Sequence, residues 1–466
     1  MSSSVCQQPA SPHSAPGPET APPQRAISFP VYRRLARFAR DPLTEFETIG
    51  GQANGAVVRL NLGLFRPYLV THPDDVQHVL SDDAGRYMRE GMLWKPVHRL
   101  TGNGISGDGP PWKASREVLR PVFAARHVAA LTDLLATTVN EAVDGLDDHA
   151  TTGKPFDVAD EMTRIADLVL GRAFFGGGIS AADGGRLGRA VAVAFTSLTA
   201  RMLLPFAPSW MPLPGDSAFR RAVRTVDEVI DPLVTQRRHQ PDAGDVVALL
   251  CQVRNEAGQP LSDRRIRDDV VAMYVAGTET TAMALTWLWV ALEANPAVAA
   301  KLRAEVEQVV GDARPSAAHL PQLRYTRMVI QEVLRLYPSA WFIPRTMLGS
   351  DVVGGVRLPA GSTVMVSPYL THRLPSVWGE DSHTFDPERF APERAKPHRF
   401  AYLPFAGGPH QCLGSQLFMI EAQLVVAAML SRYRPRLRDD GPVRPQLAVT
   451  LRPDRQLAMT IARENQ

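Results

Sequence analysis

FAGGPHQCLG, residues Phe405 to Gly414, contains one of only three cysteines in a chain of 466 residues. A lone cysteine is most often a small buried hydrophobe, but the neighbours of Cys412 argue for chemistry. Gly407, Gly408 and Pro409 impose an irregular turn in which the backbone can come close to a flat ligand. Gly414 leaves room just past the sulfur, and a helical pattern resumes at about Leu413. A sulfur at a helix N-terminus meets partial positive charge and free N–H donors, which favour thiolate over thiol. Such donors also tune the potential of a sulfur-ligated iron. Phe405 can shield the sulfur from water and oxidants. The segment thus offers Cys412 as a thiolate ligand or as a nucleophile. A nucleophile needs a base; His410 is two residues away, but no supporting acid is evident.

Composition narrows the field. Cys6 and Cys251 lie far from Cys412 and from each other, which argues against a disulfide scaffold or a zinc site and favours a reducing, cytoplasmic setting. The 51 basic and 48 acidic residues leave a net charge of +3, too little over this length for nucleic-acid binding. With 45% hydrophobic and 21% charged residues, a large core can be buried. Residues 1–28 are rich in Ser, Pro, Ala and Gln, with no apolar run of the signal-peptide or anchor kind. They are predicted to be a disordered tail ahead of one folded domain, 29–466. The most apolar stretch, Thr280 to Leu292, is too short to span a bilayer and is flanked by Glu279 and Glu293, so no membrane anchor is expected.

Strand formers at Val57 to Gly63 and Tyr68 to Thr71 predict a hairpin turning around Gly63 to Pro67. From about 112 to 340 the apolar spacing is helical. Strands are expected again at Asp351 to Val356 and Thr363 to Ser367, separated by the turn signal Pro359-Ala360-Gly361. Ser262 to Ala294 reads as one long helix, capped by Ser262 and stopped by Asn295-Pro296. At its middle stands Ala276-Gly277-Thr278-Glu279-Thr280-Thr281. A glycine and three threonines are poor interior choices, so helix propensity is given up there. Gly277 permits close approach of a ligand, and the hydroxyls can bond back to helix carbonyls. The predicted class is mainly α with a small β lobe built from early and late segments.

FAGGPHQCLG resembles the haem-binding loop of the cytochromes P-450, F-x-x-G-x-[RH]-x-C-x-G, at every defined position. The resemblance implies the cytochrome P-450 fold, with its long central helix over haem b. It implies that Cys412 ligates the iron and that Phe405, Gly408, His410 and Gly414 border the cofactor. His410 takes the place of the commoner arginine at a haem propionate. Other segments occur in the family's order. Glu332-Val333-Leu334-Arg335 matches E-x-x-R; with Arg389 of Pro387-Glu388-Arg389-Phe390 it implies a buried structural charge cluster. Ala276 to Thr281 resembles [AG]-G-x-[DE]-T-[ST], which implies that Ala276 and Gly277 lie against the haem. Glu279 and Thr280 would then be the acid–alcohol pair that delivers protons in oxygen activation. Trp112 and Arg116 match W-x-x-x-R; they and Arg345 are implied propionate donors.

The same resemblance draws a substrate pocket from Leu93, Trp94, Tyr274, Ala276, Trp341, Phe342 and Val449. The set is apolar and aromatic, so a lipophilic substrate is expected: terpenoid, polyketide or fatty-acyl, in secondary metabolism. The function implied is monooxygenation with O2 and NAD(P)H-derived electrons. Alternatives are a same-fold enzyme of rearrangement, coupling or peroxide-driven oxidation, a haem sensor, and a cysteine hydrolase. The length leaves no room for a fused reductase, so a separate ferredoxin or flavodoxin with its reductase is the expected partner, and the chain is expected to be a monomer. Arg394, Lys396, His398 and Arg399, with Lys113, Arg120 and Arg126, are the candidate basic docking face.

Overall fold

Asp263–Ala294 is a single helix of 32 residues, begun where the Ser262 side chain accepts the Arg265 amide at 3.3 Å and ended at Asn295. Between Ile266 and Leu292 every residue is buried except Ala276, Gly277 and Thr280. A helix buried on all sides belongs at the centre of a fold. Val158–Phe175 lies along it, flanked by Asp216–His239 and Arg324–Leu336. Ser415–Leu430, two residues shorter at its start than expected, packs on Ala125–Asp144 and on the Arg324–Leu336 helix. The computed structural model describes residues 25–463, apart from 31–36, 38–39, 63–64, 205–206, 209, 255–257 and 439–440.

The β lobe is a six-stranded sheet in the order Ile27–Phe29, Val58–Leu60, Tyr68–Val70, Thr363–Val366, Ile343–Met347, Tyr87–Met88. Early and late segments alternate within it, as expected. Val58–Leu60 and Tyr68–Val70 pair antiparallel as the predicted hairpin, whose residues 63–64 lie outside the described set. The later strand Thr363–Val366 forms as expected and pairs with Ile343–Met347 and Tyr68–Val70, with the turn at Pro359 to Gly361 ahead of it. The strand expected over Asp351 to Val356 needs correcting: Asp351–Val353 turns back at once onto Val356–Leu358. Gly354 and Gly355 cause this: both take positive φ, so the tight turn falls there. A Cβ on Gly354 would also come within 2.9 Å of both Asp75 and Val57.

The predicted tail falls on residues 1–24, outside the described residues, but its boundary at 28 is too late. Ile27–Phe29 is already a strand, parallel to Val58–Leu60. At the other end, Pro445–Leu447 and Leu451–Pro453 form a short hairpin. It is tied to the centre by Trp287 Nε1, which donates to the Leu451 carbonyl at 2.9 Å. No single helix among the described residues is long and apolar enough to cross a membrane.

Candidate active site

The Cys412 loop is shaped by what its glycines let in. Gly408 has φ +68°, and a Cβ there would lie 1.8 Å from the Leu80 carbonyl oxygen. A Cβ on Gly407 would lie 2.6 Å from the Phe400 ring. These glycines therefore make room for protein, not for the ligand that the sequence suggested. Ala406 also takes a left-handed φ of 56°, a strained choice for a residue with a side chain. The Cys412 amide closes the loop onto the Phe405 carbonyl at 2.9 Å. Phe405 packs edge-on against Phe418 at 5.7 Å. The sulfur is accessible yet deeply recessed: burial pushes its pKa up, while the amides of Gly414 and Ser415 and the Arg116 guanidinium pull it down. An accessible sulfur ringed by donors suits a thiolate bound to a metal cation.

Beside the loop lies a buried group of cations. Arg345 is 3% exposed, and its guanidinium donates to the Pro344 carbonyl at 2.9 Å. Burial pushes it down to about 10. Nε and Nη2 of Arg89 and Nε1 of Trp112 are buried without a hydrogen-bond partner among the described residues. The Trp112 ring lies 4.2 Å from His410. Arg116 donates to the Gln411 carbonyl at 3.0 Å. The one carboxylate in this group is Asp108, which accepts from His410 Nε2 at 2.6 Å and from the Arg89 amide. Unpaired buried donors cost free energy unless an acceptor joins them. Two haem propionates supply such acceptors, so the residues fit the cofactor.

Ala276 is exposed and Thr280 half-buried inside a helix whose flanking turns are buried, so the space they face lies within the protein. Thr280 Oγ1 donates back to the Ala276 carbonyl at 2.5 Å. That leaves its oxygen lone pairs, not its proton, available to a neighbour. Glu279 is buried and accepts from Thr450 Oγ1 at 2.8 Å and Arg452 Nη2 at 2.6 Å. Gly277 again serves packing, since a Cβ would meet Leu170 at 2.6 Å.

The family model for cytochrome P450 matches residues 27–459. The chain belongs to the cytochrome P450 family. Cyclooctatin synthase of Streptomyces melanosporofaciens is 33% identical over 92% of this chain and 94% of its own length. Cyclooctat-9-en-7-ol 5-monooxygenase of the same organism is 31% identical over 90% and 92%. Pentalenene oxygenase of Streptomyces avermitilis is 29% identical over 93% and 96%. Among solved structures, the haem domain of cytochrome P450DA superposes with a TM-score of 0.83, covering 95% of this chain and 99% of that one at 23% identity. This P450 is therefore an oxidoreductase that incorporates oxygen from O2, a monooxygenase using haem iron and a redox partner.

The P450 charge cluster forms as the sequence implied. Arg335 grips Glu332 through Nε and Nη2 at 2.7 and 2.8 Å, and both side chains are closed to solvent. Arg335 also donates to the carbonyls of His372, Ser382 and Thr384, and the Asp386 amide donates to Glu332. Arg389 Nε stands 3.7 Å from Glu332 while its Nη2 pairs with Asp381. The cluster pins residues 382–389, the meander before the haem loop, to the Arg324–Leu336 helix.

Of the residues drawn as substrate contacts, Trp341, Phe342, Trp94 and Val449 are half-buried and Leu93 is buried. Trp341 and Phe342 touch at 4.3 Å, and Trp341 Nε1 donates to the Ala448 carbonyl at 2.8 Å. Trp94 Nε1 donates to the Pro344 carbonyl at 3.1 Å. Tyr274 does not belong with them. It is 1% exposed, stacks on Phe175 at 5.6 Å and donates to Asp167 at 2.8 Å. Two residues before Ala276, it points to nearly the opposite side of the helix, at about 100° per residue. Arg89, Asp108, Thr450 and Arg452 escaped sequence reasoning because no local motif marks them.

Proposed function

We propose that this P450 hydroxylates a terpenoid hydrocarbon skeleton in secondary metabolism, with Cys412 as iron ligand and Glu279 and Thr280 as the proton-delivering pair. What carries the proposal is the Ala276–Thr280 turn: the one accessible stretch between Ile266 and Leu292 of the long helix bears an acid next to an alcohol. Three relatives whose names refer to cyclooctatin, cyclooctat-9-en-7-ol and pentalenene support the substrate class. The aromatic and aliphatic set Trp94, Trp341, Phe342 and Val449 suits it as well.

Bound haem supplies the reductive activation of O2. The chain's own residues do the rest. Gly414 and Ser415 turn their amides toward the Cys412 sulfur and favour its thiolate. Trp112 and Arg89 offer unpaired donors to the propionates, Arg345 adds its buried guanidinium, and Arg116 donates to the Gln411 carbonyl beside the thiolate. Glu279 relays a proton through its carboxylate, and Thr280 Oγ1, its own hydrogen turned to Ala276, accepts it and passes it inward. Electrons come from NAD(P)H through a separate ferredoxin or flavodoxin that docks a monomer in the cytoplasm.

The reduced protein with carbon monoxide, followed by a Soret-shift screen, tests this. A thiolate-type spectrum and low-spin to high-spin shifts with cyclic terpenes, but not with fatty acids of equal carbon number, are expected. A thiolate-free spectrum overturns the ligand assignment, and shifts only with fatty acids overturn the substrate class.

A further inference from the structure

The Glu279 carboxylate is gripped from the C-terminal hairpin. Thr450 and Arg452 both donate to its Oε1, at 2.8 and 2.6 Å. The strand that carries them is locked to the same turn of the long helix. The Leu451 amide donates to the Ser339 carbonyl at 3.1 Å, and the Ser339 hydroxyl donates to the Thr280 carbonyl at 2.9 Å. Trp287 fixes the Leu451 carbonyl at 2.9 Å. The hairpin therefore holds the acid directly and, through Ser339, the backbone of the residue that bears the alcohol. The side chains differ in access: Glu279 is 8% exposed and Arg452 30%. Arg452 thus joins a buried carboxylate to solvent.

Facing the pair from Val158–Phe175 is Asp167, bonded to Tyr274 and pushed up to about 6 by burial. It brings a second carboxyl, not a cation, so Arg452 is the positive group that holds Glu279 among the described residues. A buried carboxylate left without its cation reorients or takes up a proton. Either change alters the proton that Glu279 can offer to Thr280.

We propose that Arg452 is a positioning residue for proton delivery: it fixes the Glu279 carboxylate against the hairpin and keeps it in proton exchange with solvent. This rests on Glu279 being the delivering acid. In the holoenzyme, Arg452→Ala lowers product formed per NAD(P)H by about tenfold, a part of the 10²–10⁴ that acid–base groups contribute. Arg452→Lys, which keeps the charge, restores most of the yield. In a Glu279→Gln background, Arg452→Ala produces no further loss. Melting of the four proteins gives a readout apart from turnover, in which the two substitutions are non-additive.

The inference is overturned if Arg452→Ala keeps the wild-type yield, or if it lowers yield equally in both backgrounds while melting effects simply add. Failure of the underlying assignment looks different, because Glu279→Gln alone then leaves the yield unchanged.

Discussion

His410 Nε2 lies 2.6 Å from Asp108 Oδ1, in a pocket where, among the described residues, Asp108 is the carboxylate set against Arg89, Arg116 and Arg345. Burial pushes the imidazole below its ordinary pKa against the pull of Asp108. Burial opposes ionisation of Asp108 too, but bonds from His410 and the Arg89 amide prevail and hold its pKa below the usual value. The pair is thus a carboxylate accepting from a neutral ring. His410 does not take over the charge of the arginine commoner at its place; Arg89 and Arg345 carry that charge instead.

Asp108→Ala therefore removes that anion from a buried cation cluster. Breaking such a cluster costs about 3–5 kcal/mol. Haem propionates offset part of that loss, so the variant should be destabilised more without haem than with it. Chemical denaturation of both forms measures the difference. Equal losses would show that the propionates lie elsewhere.

Glu332→Ala should be harsher, because Arg335 would stay buried among carbonyls with no counter-charge and no haem to compensate. The same range of about 3–5 kcal/mol approaches the whole stability of many domains. Little soluble, haem-loaded protein should be recovered. A well-folded Glu332→Ala variant would count against the cluster as the anchor of the meander.

What was legible in the sequence was what lies close together along it. Cys412 with its loop, Glu332 with Arg335, and Ser262 and Asn295 at the ends of the long helix each sit within a few residues of their partners. Asp108, 302 residues from His410, and Arg452, 173 from Glu279, have no such signal. Only the folded chain brings them together. Tyr274 was misplaced because apolar composition was weighed and helical angle was not. The turn at Pro359 to Gly361 was legible, but the one at Gly354-Gly355 was missed because those glycines lie within a run of strand formers.

Thr280→Ala should leave folding and haem content intact, since among the described residues the hydroxyl bonds within its own helix, on the accessible turn. Proton delivery should falter, and reducing equivalents should leak to peroxide. Product per NAD(P)H should fall severalfold while total NAD(P)H consumption persists. An unchanged ratio would remove Thr280 from the acid–alcohol pair.

Within the expected basic face, one histidine has an acidic neighbour. His398 is engaged with Asp74 at 3.6 Å, whereas Arg394 and Lys396 are exposed and show no ion pair among the described residues. They precede Phe400, which packs under Gly407 of the Cys412 loop. Reversing both to Glu should slow reduction by a ferredoxin or flavodoxin but not by dithionite. The effect should fade with salt as the Debye length falls to about 8 Å at physiological ionic strength. Equal slowing with both reductants would indicate a damaged haem site.

Glu421 makes the pH dependence of stability testable. It is fully buried in Ser415–Leu430, and neither carboxyl oxygen has a hydrogen-bond partner among the described residues. Burial pushes it from 4.5 up to about 8. Between those values the folded chain holds a proton that the unfolded chain releases, so this group makes stability fall as pH rises. The slope for one such group is about 1.4 kcal/mol per pH unit inside the window and zero beyond it. Glu421→Gln removes the titration while keeping the shape. Its melting temperature should exceed the wild type's at pH 8, and the gap should shrink steadily toward pH 5. A gap of the same size at both pH values would mean that the carboxyl is already ionised in the folded chain, held by a partner that its surroundings do not show.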